Sequence, residues 1–202
     1  MSDLAGEKKR IRGEMRALRR GLGDAVQRQH AARLRRNIQF RSWFLASNRL
    51  GMYRAADGEI SLQPLITLCW QLQKEVYLPC IAGNRRLVFR EYRQGDRLTR
   101  SRLGIEEPLP RAEAVELAGL DILLLPLVAF TVKGDRLGMG GGFYDRALQN
   151  HRPGNAPGRK PRVVGVAHSC QRVRTLPREP WDVSLSELVT ECGAVNCAAH
   201  TD

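Results

Sequence analysis

The sequence predicts an α/β protein, a three-layer αβα sandwich around a largely parallel sheet in one domain spanning 1–202. Short apolar runs with strand character alternate with stretches of helical periodicity, the pattern of strand–helix–strand units. Two of these runs, Ile122 to Val128 and Arg162 to His168 (RVVGVAH), lack polar alternation, as strands covered on both faces do. A helical stretch at Tyr144 separates the two, so they are expected to be parallel neighbours. The chain has 202 residues, 43% of them hydrophobic, enough for one well-buried core and too few for two substantial domains.

In chain order, Lys8 to Leu22 reads as a helix with Ile11, Met15, Leu18 and Leu22 on one face and mostly Lys and Arg on the other. A second helix is expected from about Asp24, a candidate N-cap, with Ala31, Leu34 and Ile38 spaced for burial. Arg49 to Tyr53 is a short strand, followed by the polar turn Arg54 to Glu59 and a helix carrying Ile60, Leu62, Leu65, Ile66 and Trp70. Val76 to Ile81 is the next strand, and Arg85 to Tyr92 reads as a strand or half of a hairpin. Thr99 to Pro108 is expected to be irregular. His151 to Pro161, rich in Pro, Gly and Arg, reads as a surface loop. A last strand at about Leu188 to Cys192 precedes a loose tail at 193–202.

Charge is uneven. The net charge is +12, of which +8 falls between Met1 and Arg41, a basic helical N-terminal segment, and +4 on the remainder. Such a segment can bind nucleic acid or an acidic membrane surface, gather anionic substrates, or simply be a solvated face. No aromatic interleaving, RNA-binding motif or zinc finger accompanies it, which argues against nucleic acid. No apolar run has transmembrane length and the charged N-terminus is not a signal peptide, so the expected protein is soluble, cytoplasmic and monomeric, with no membrane partner. The five cysteines (69, 80, 170, 192, 197) are scattered without a CxxC pair, which suggests reduced thiols. His168 near Cys170 reads as strand-end packing, because a His-x-Cys pair with no further ligands is a weak metal or nucleophile signal.

Asp121 to Arg146 (DILLLPLVAFTVKGDRLGMGGGFYDR) is the most informative stretch. Its strand leads through Lys133, Asp135 and Arg136 into Gly138, Gly140, Gly141 and Gly142, and a helix is expected to start at Phe143. Glycines let a backbone bend and be approached closely, and a helix start aims N–H groups at whatever they hold. This is not a Walker loop, since no Gly-Lys-Ser/Thr follows, nor a good dinucleotide fingerprint, since the third glycine is missing. A tight turn that binds nothing explains the glycines equally well. The flanking Arg136, Tyr144 and Asp145 favour a phosphate cradle.

The string RLGMGGGFYDR after an apolar strand resembles the signature of the 5-formyltetrahydrofolate cyclo-ligases, also called methenyltetrahydrofolate synthetases. The resemblance extends to the basic first helix, Gly58-Glu59-Ile60, Leu78-Pro79, Gly104-Ile105-Glu106-Glu107-Pro108 and Trp181-Asp182, in the family's order over nearly the whole chain. It implies ATP and Mg²⁺ as cofactors and 5-formyltetrahydrofolate, including polyglutamylated forms, as substrate. It places ATP-phosphate contacts on Lys8, Lys9, Arg10, Ile11 and Arg12, with Lys8 or its neighbour Lys9 as the phosphate-binding lysine. The loop residues Arg136, Leu137, Gly138, Met139, Gly140, Gly141, Gly142, Phe143 and Tyr144 would hold the nucleotide, with Met139 to Phe143 also touching folate. Lys8, Arg136 and Tyr144 are the implied catalytic residues. Glu59 matches a folate contact, where a carboxylate can accept hydrogen bonds from pterin N–H groups; a helix N-terminal acid is the plainer reading. Arg54 matches a second folate position, and Leu103 stands where some relatives have tryptophan.

Asp145 and Asp182 match the family's magnesium positions, although each residue is also of a type that commonly caps helices and turns. Some relatives carry a lysine at the position of Gly141, so Arg136 and the N-terminal lysines are expected to supply that charge. Alanine at Lys8 or Arg136 should then cut turnover without unfolding the protein. No Ser-His-Asp or Cys-His constellation compels a covalent enzyme intermediate, and the implied reaction transfers phosphate directly to substrate. Two competing readings are another α/β enzyme, such as a sugar-phosphate isomerase or CoA-transferase relative, and a nucleic-acid-binding protein.

Overall fold

Five strands of the main sheet lie side by side and parallel. The structure, a computed structural model, describes residues 4–83, 86–101, 104–149, 161–179 and 182–197. Two helices come first, α1 (Leu4–Arg20) and α2 (Asp24–Gln39), then the single turn α3 (Ser42–Leu45), strand β1 (Arg49–Gly51) and α4 (Gln63–Gln71). Strands β2 (Glu75–Ala82), β3 (Arg86–Glu91), β4 (Leu98–Arg100), β5 (Glu106–Pro108), β6 (Ala114–Val115) and β7 (Ile122–Pro126) follow. The chain closes with β8 (Ala129–Phe130), β9 (Arg136–Leu137), α5 (Phe143–Leu148), β10 (Arg162–Val166), β11 (Glu187–Thr190) and β12 (Gly193–Asn196).

The main sheet has the order β12-β11-β10-β7-β1-β2-β3-β6. Strands β11, β10, β7, β1 and β2 pair parallel, while β12 at one edge and β3 and β6 at the other pair antiparallel. The expected neighbours β7 and β10 are in register from Ile122–Arg162 to Pro126–Val166. Residues alternate across the sheet. Ile122 and Leu124 join Leu34 and Ile38 of α2 and Leu65, Ile66 and Cys69 of α4 in one core. Leu123 and Leu125 join Leu148 of α5, Leu117 and Phe130 in the other. Burying each such side chain contributes about 1.5–3 kcal/mol. Two-sided burial is why β7 reads as an unbroken apolar run.

Several expectations need correction. The buried residues Ile11 and Met15 of α1 pack on Val128, Ala129 and Leu137, beyond the carboxyl end of β7. The buried stripe of this helix continues to Arg19, fully buried, and not to Leu18, which is half exposed. Helix α2 starts at Asp24 with Gly23 as its N-cap. The stretch expected to be irregular contains a two-stranded ribbon, β4 with β5. The expected loose tail begins with β12, whose four residues pair antiparallel with β11. The expected loop 151–161 lies outside the described residues up to 160, as do Leu103 and Trp181. Among the described residues, no helix is long and apolar enough to cross a membrane. All five thiols are free.

Candidate active site

Strand order fixes where a ligand can sit. From β1 the chain moves outward to β2 on one side, and from β7 it moves outward to β10 and β11 on the other. Loops leaving the carboxyl ends of β1 and β7 therefore diverge and open a crevice, the usual ligand site of such sheets. The β1 loop carries Arg54 to Glu59, and the β7 segment carries Arg136 to Tyr144. Helix α1 closes the crevice from above.

The cationic face of α1 is its inner wall. Lys8, Arg12, Arg16 and Arg19 recur at helical spacing and so share one side. Lys8 Nζ donates to Glu179 Oε2 at 2.6 Å and to Asp182 Oδ2 at 3.1 Å. Burial alone would lower the Lys8 pKa, but bonds to these two acids outweigh it and raise it. Arg12 Nε donates to the Gly138 carbonyl at 2.8 Å, so its guanidinium lies across the glycine loop. Arg16 and Arg19 reach Asp57 in the β1 loop, at 2.7 and 2.8 Å. Lys9 and Arg10 are exposed, Arg10 pairing with Glu14 one turn along the helix, and Ile11 is buried beneath. Of the five expected phosphate contacts, the helix thus turns only Lys8 and Arg12 toward the crevice.

The β1 loop is stitched to the end of α1. Asp57 and Gly58 both take left-handed backbone, φ 55 and 75. A Cβ on Gly58 would lie 2.9 Å from the Arg19 carbonyl oxygen, so only glycine permits this approach. Gln27 Nε2 donates to the carbonyls of Arg19 and Gly58, tying α2 to both. Burial pushes the Asp57 carboxyl up, but hydrogen bonds from Arg16, Arg19 and Arg20 bring it down to about 2. Glu59 accepts the Ala56 N–H at 3.1 Å and stands 3.8 Å from Arg19. Burial raises its pKa. Tyr144 lies close enough for Glu59 to add to the effect of burial, and both push its phenol pKa well up. Tyr144 itself packs against the core on the α5 side of the sheet. Arg54 donates to Glu106 at 3.0 Å and to Gln63, linking the β1 loop to the ribbon.

Across the crevice, Gly140 and Gly142 have φ of 94 and 66, and Gly142 caps α5. Met139 is half exposed at the tip, and Leu137 is buried against α1. Phe143 carries the Arg146 guanidinium over its ring, 5.1 Å from the centroid, and Arg146 also donates to the Gly141 carbonyl at 3.1 Å. A Cβ on Gly141 would meet the Phe143 ring at 2.8 Å. The cation beside Gly141 is therefore Arg146, which sequence reasoning passed over in favour of Arg136 and the lysines.

Arg136 is nearly buried and donates to the Val183 carbonyl and to Asp145. Burial lowers its pKa, opposed by Asp145 and Asp182, so both expected metal ligands act on one guanidinium. Each is engaged through one oxygen, Oδ1 of Asp145 and Oδ2 of Asp182. These hard carboxylate oxygens suit magnesium. Glu179 and Arg19 are further members that sequence reasoning missed. Arg16 and Arg19 continued the Lys8–Arg12 spacing and could have been found; Glu179 carried no signal.

Comparison with known proteins finds relatives over nearly the whole chain. A family model, that of the 5-formyltetrahydrofolate cyclo-ligase family, matches residues 5–191. The 5-formyltetrahydrofolate cyclo-ligase of Escherichia coli K12 is 44% identical over 149 residues, 71% of this chain and 78% of that protein. The Haemophilus influenzae protein of the same name is 38% identical over 186 residues, 91% of this chain and 93% of its own. The solution structure of Aquifex aeolicus 5,10-methenyltetrahydrofolate synthetase superposes with a TM-score of 0.81 at 30% identity, covering 96% of this chain and 95% of that one.

Proposed function

The chain belongs to the 5-formyltetrahydrofolate cyclo-ligase family, and from that premise we propose that it converts 5-formyltetrahydrofolate and ATP to 5,10-methenyltetrahydrofolate, ADP and phosphate. The observation that carries the reading is that α1 bridges the two loops: Lys8 and Arg12 meet Asp182 and the glycine loop, and Arg19 at its other end stands beside Asp57 and Glu59 of the β1 loop. Cations beside a glycine loop suit a polyphosphate; a half-buried carboxylate suits pterin N–H groups.

In this reading the N5-formyl oxygen attacks the γ-phosphorus of ATP and ADP leaves. N10 then attacks the activated formyl carbon, and phosphate departs as the ring closes. The protein's part is positioning and charge stabilisation. Lys8 and Arg12 flank the phosphates along α1. Arg136, held by Asp145 and the Val183 carbonyl, and Arg146 at the glycine loop offset charge on the migrating phosphoryl group. Glu59 orients the pterin, and Tyr144, packed on the core at the start of α5, helps to hold the glycine loop in place. Asp145 and Asp182 would hold Mg²⁺, which supplies further neutralisation of the phosphate oxygens. Their present partners, Arg136 and Lys8, leave little uncompensated negative charge, so the phosphates complete the site.

The nucleic-acid reading loses support because Lys8, Arg12, Arg16, Arg19 and Arg20 are all engaged by the protein's own acids and carbonyls. The reading includes a cytoplasmic monomer, a compartment in keeping with the five free thiols. Mixing the protein with 5-formyltetrahydrofolate, ATP and Mg²⁺ tests it: ultraviolet absorbance of the methenyl product should rise only with all three present. Folded protein that gives no such signal defeats the assignment.

A further inference from the structure

One cluster of ionisable groups takes no part in that reaction. His168, following β10, is fully buried. Its Nδ1 lies 2.8 Å from Nδ1 of His30, on α2. The same His30 nitrogen stands 3.7 Å from Oε1 of Glu191, at the end of β11. One ligand atom from each residue lies within 4.8 Å of those of the other two. His168 alone carries a weak metal signal in the sequence, and the fold supplies the partners from two distant segments.

We propose that His30, His168 and Glu191 form a binding site for a divalent late first-row transition metal of the zinc class, ligated by the two Nδ1 atoms and a Glu191 oxygen. Bonds of about 2.0–2.2 Å in a tetrahedral zinc site set ligand atoms roughly 3.3 Å apart. The observed 2.8 and 3.7 Å fall on either side of that spacing, so rotamer adjustments suffice. Two imidazoles and one carboxylate suit zinc-class ions and not magnesium or calcium, which take oxygen ligands.

Proton positions agree. Two nitrogens 2.8 Å apart must share a proton. His168 Nε2 is buried and makes no full hydrogen bond, with the Gly58 backbone beside the ring. A proton on Nε2 directed at that backbone leaves Nδ1 as a lone pair and puts the shared proton on His30. Burial, with His30 adding to it, lowers the His168 pKa to about 4 and keeps the ring neutral. A metal ion would take the place of the shared proton, which moves to His30 Nε2, so that both rings ligate as neutral imidazoles. The surroundings are already fixed as a ligand set requires. Ser169 N and Oγ donate to Glu191, and Asn37 Nδ2 ties α2 to the Thr190 and Glu191 carbonyls at 2.9 and 3.2 Å. The exposed Cys192 thiol, 3.7 Å from Glu191 Oε1, or water is available for the fourth position.

The test uses full-length protein stripped by a chelator and titrated with Co²⁺, with Zn²⁺ as competitor. The expected result is one ion per chain, visible bands of four- or five-coordinate cobalt, and a higher thermal midpoint. His30→Asn and His168→Asn should each weaken binding by about 100-fold or more, while Asp182→Asn leaves it unchanged. His30→Phe serves if the asparagine variant does not fold. The proposal is overturned if submillimolar metal gives no saturable binding, or if binding survives loss of His30. It is equally overturned if binding vanishes only when the cysteines are replaced, or if Asp182→Asn abolishes it.

Discussion

Replacing Asp57 with asparagine should cost about 2–3 kcal/mol of folding stability. The carboxylate accepts hydrogen bonds from Arg16 Nε at 2.7 Å, Arg19 Nη2 at 2.8 Å, and Arg20. The Arg16 and Arg20 side chains are 35% and 55% exposed, so each contributes no more than about 0.5 kcal/mol. Arg19 is fully buried, and losing a charged acceptor there costs about 1.5–3 kcal/mol. The carbonyls of Asp57 and Leu127 still hold its guanidinium, at 2.8 and 3.3 Å, which limits the loss. The effect of the same contacts on the carboxyl pKa is of similar size. Burial raises the carboxyl pKa, but the arginines outweigh it and displace the value from 3.8 to about 2, equivalent to roughly 2 kcal/mol before screening at the exposed arginines.

Because the folded pKa is depressed, this stability is fully present above pH 3.8 and is lost as pH falls through about 2. Urea denaturation of the parent and Asp57→Asn proteins should therefore show a gap of about 2–3 kcal/mol at neutral pH, roughly 30–150-fold in the folding equilibrium. The gap should close in acid. A gap under about 0.5 kcal/mol at neutral pH, well below the worth of a charged hydrogen bond, or one that persists unchanged in strong acid, would refute the account.

Other substitutions separate structure from chemistry. Lys8→Met should lower kcat by about 100-fold or more while costing no more than about 1 kcal/mol of stability, since its two acids remain partly hydrated; steady-state kinetics beside urea denaturation check both. Arg136→Ala, expected from sequence to leave folding intact, should instead cost about 2 kcal/mol, because it takes the donor from the Val183 carbonyl and leaves a cavity, while Asp145 stays hydrated. Glu59→Gln should raise the KM for 5-formyltetrahydrofolate by about 10-fold, the worth of one charged hydrogen bond, and leave the KM for ATP unchanged. Gly58→Ala should cost about 2–4 kcal/mol, from left-handed backbone and a Cβ 2.9 Å from the Arg19 carbonyl, read as a lower thermal midpoint.

What the sequence made legible follows from the range over which each signal acts. The apolar runs at β7 and β10, the helical spacing of α2 and the glycine loop are local patterns, and each appears where expected. The long-range partnerships were not legible. Nothing near Arg19 says that an arginine will be buried; Asp57 and the Leu127 carbonyl, 38 and 108 residues away, decide it. Leu18 lost its expected place in the core for the same reason. The β12 strand was missed because Gly193 to Asn196 is short and gains its order only by pairing with β11. His30 carried no signal until the fold set it against His168.

The excess of charge near the N-terminus acquires a specific meaning from these contacts. A free basic arm would attract any anion and fix none. Here the cations of α1 are pre-placed: Asp57 and the β1 loop fix the Arg16–Arg19 end, while Glu179 and Asp182 fix Lys8 at the other. Arg12, between them, is spanned to a backbone carbonyl of the glycine loop. In the proposed reaction a phosphate arriving at Lys8 takes the place of Asp182, and the released carboxylate becomes available to Mg²⁺. Nucleotide and metal sites would then complete each other, and Lys8 keeps its charge in both arrangements because a carboxylate or a phosphate always faces it. That exchange requires acids at the lysine as firmly as the lysine itself, which is why Glu179, silent in the sequence, belongs to the site.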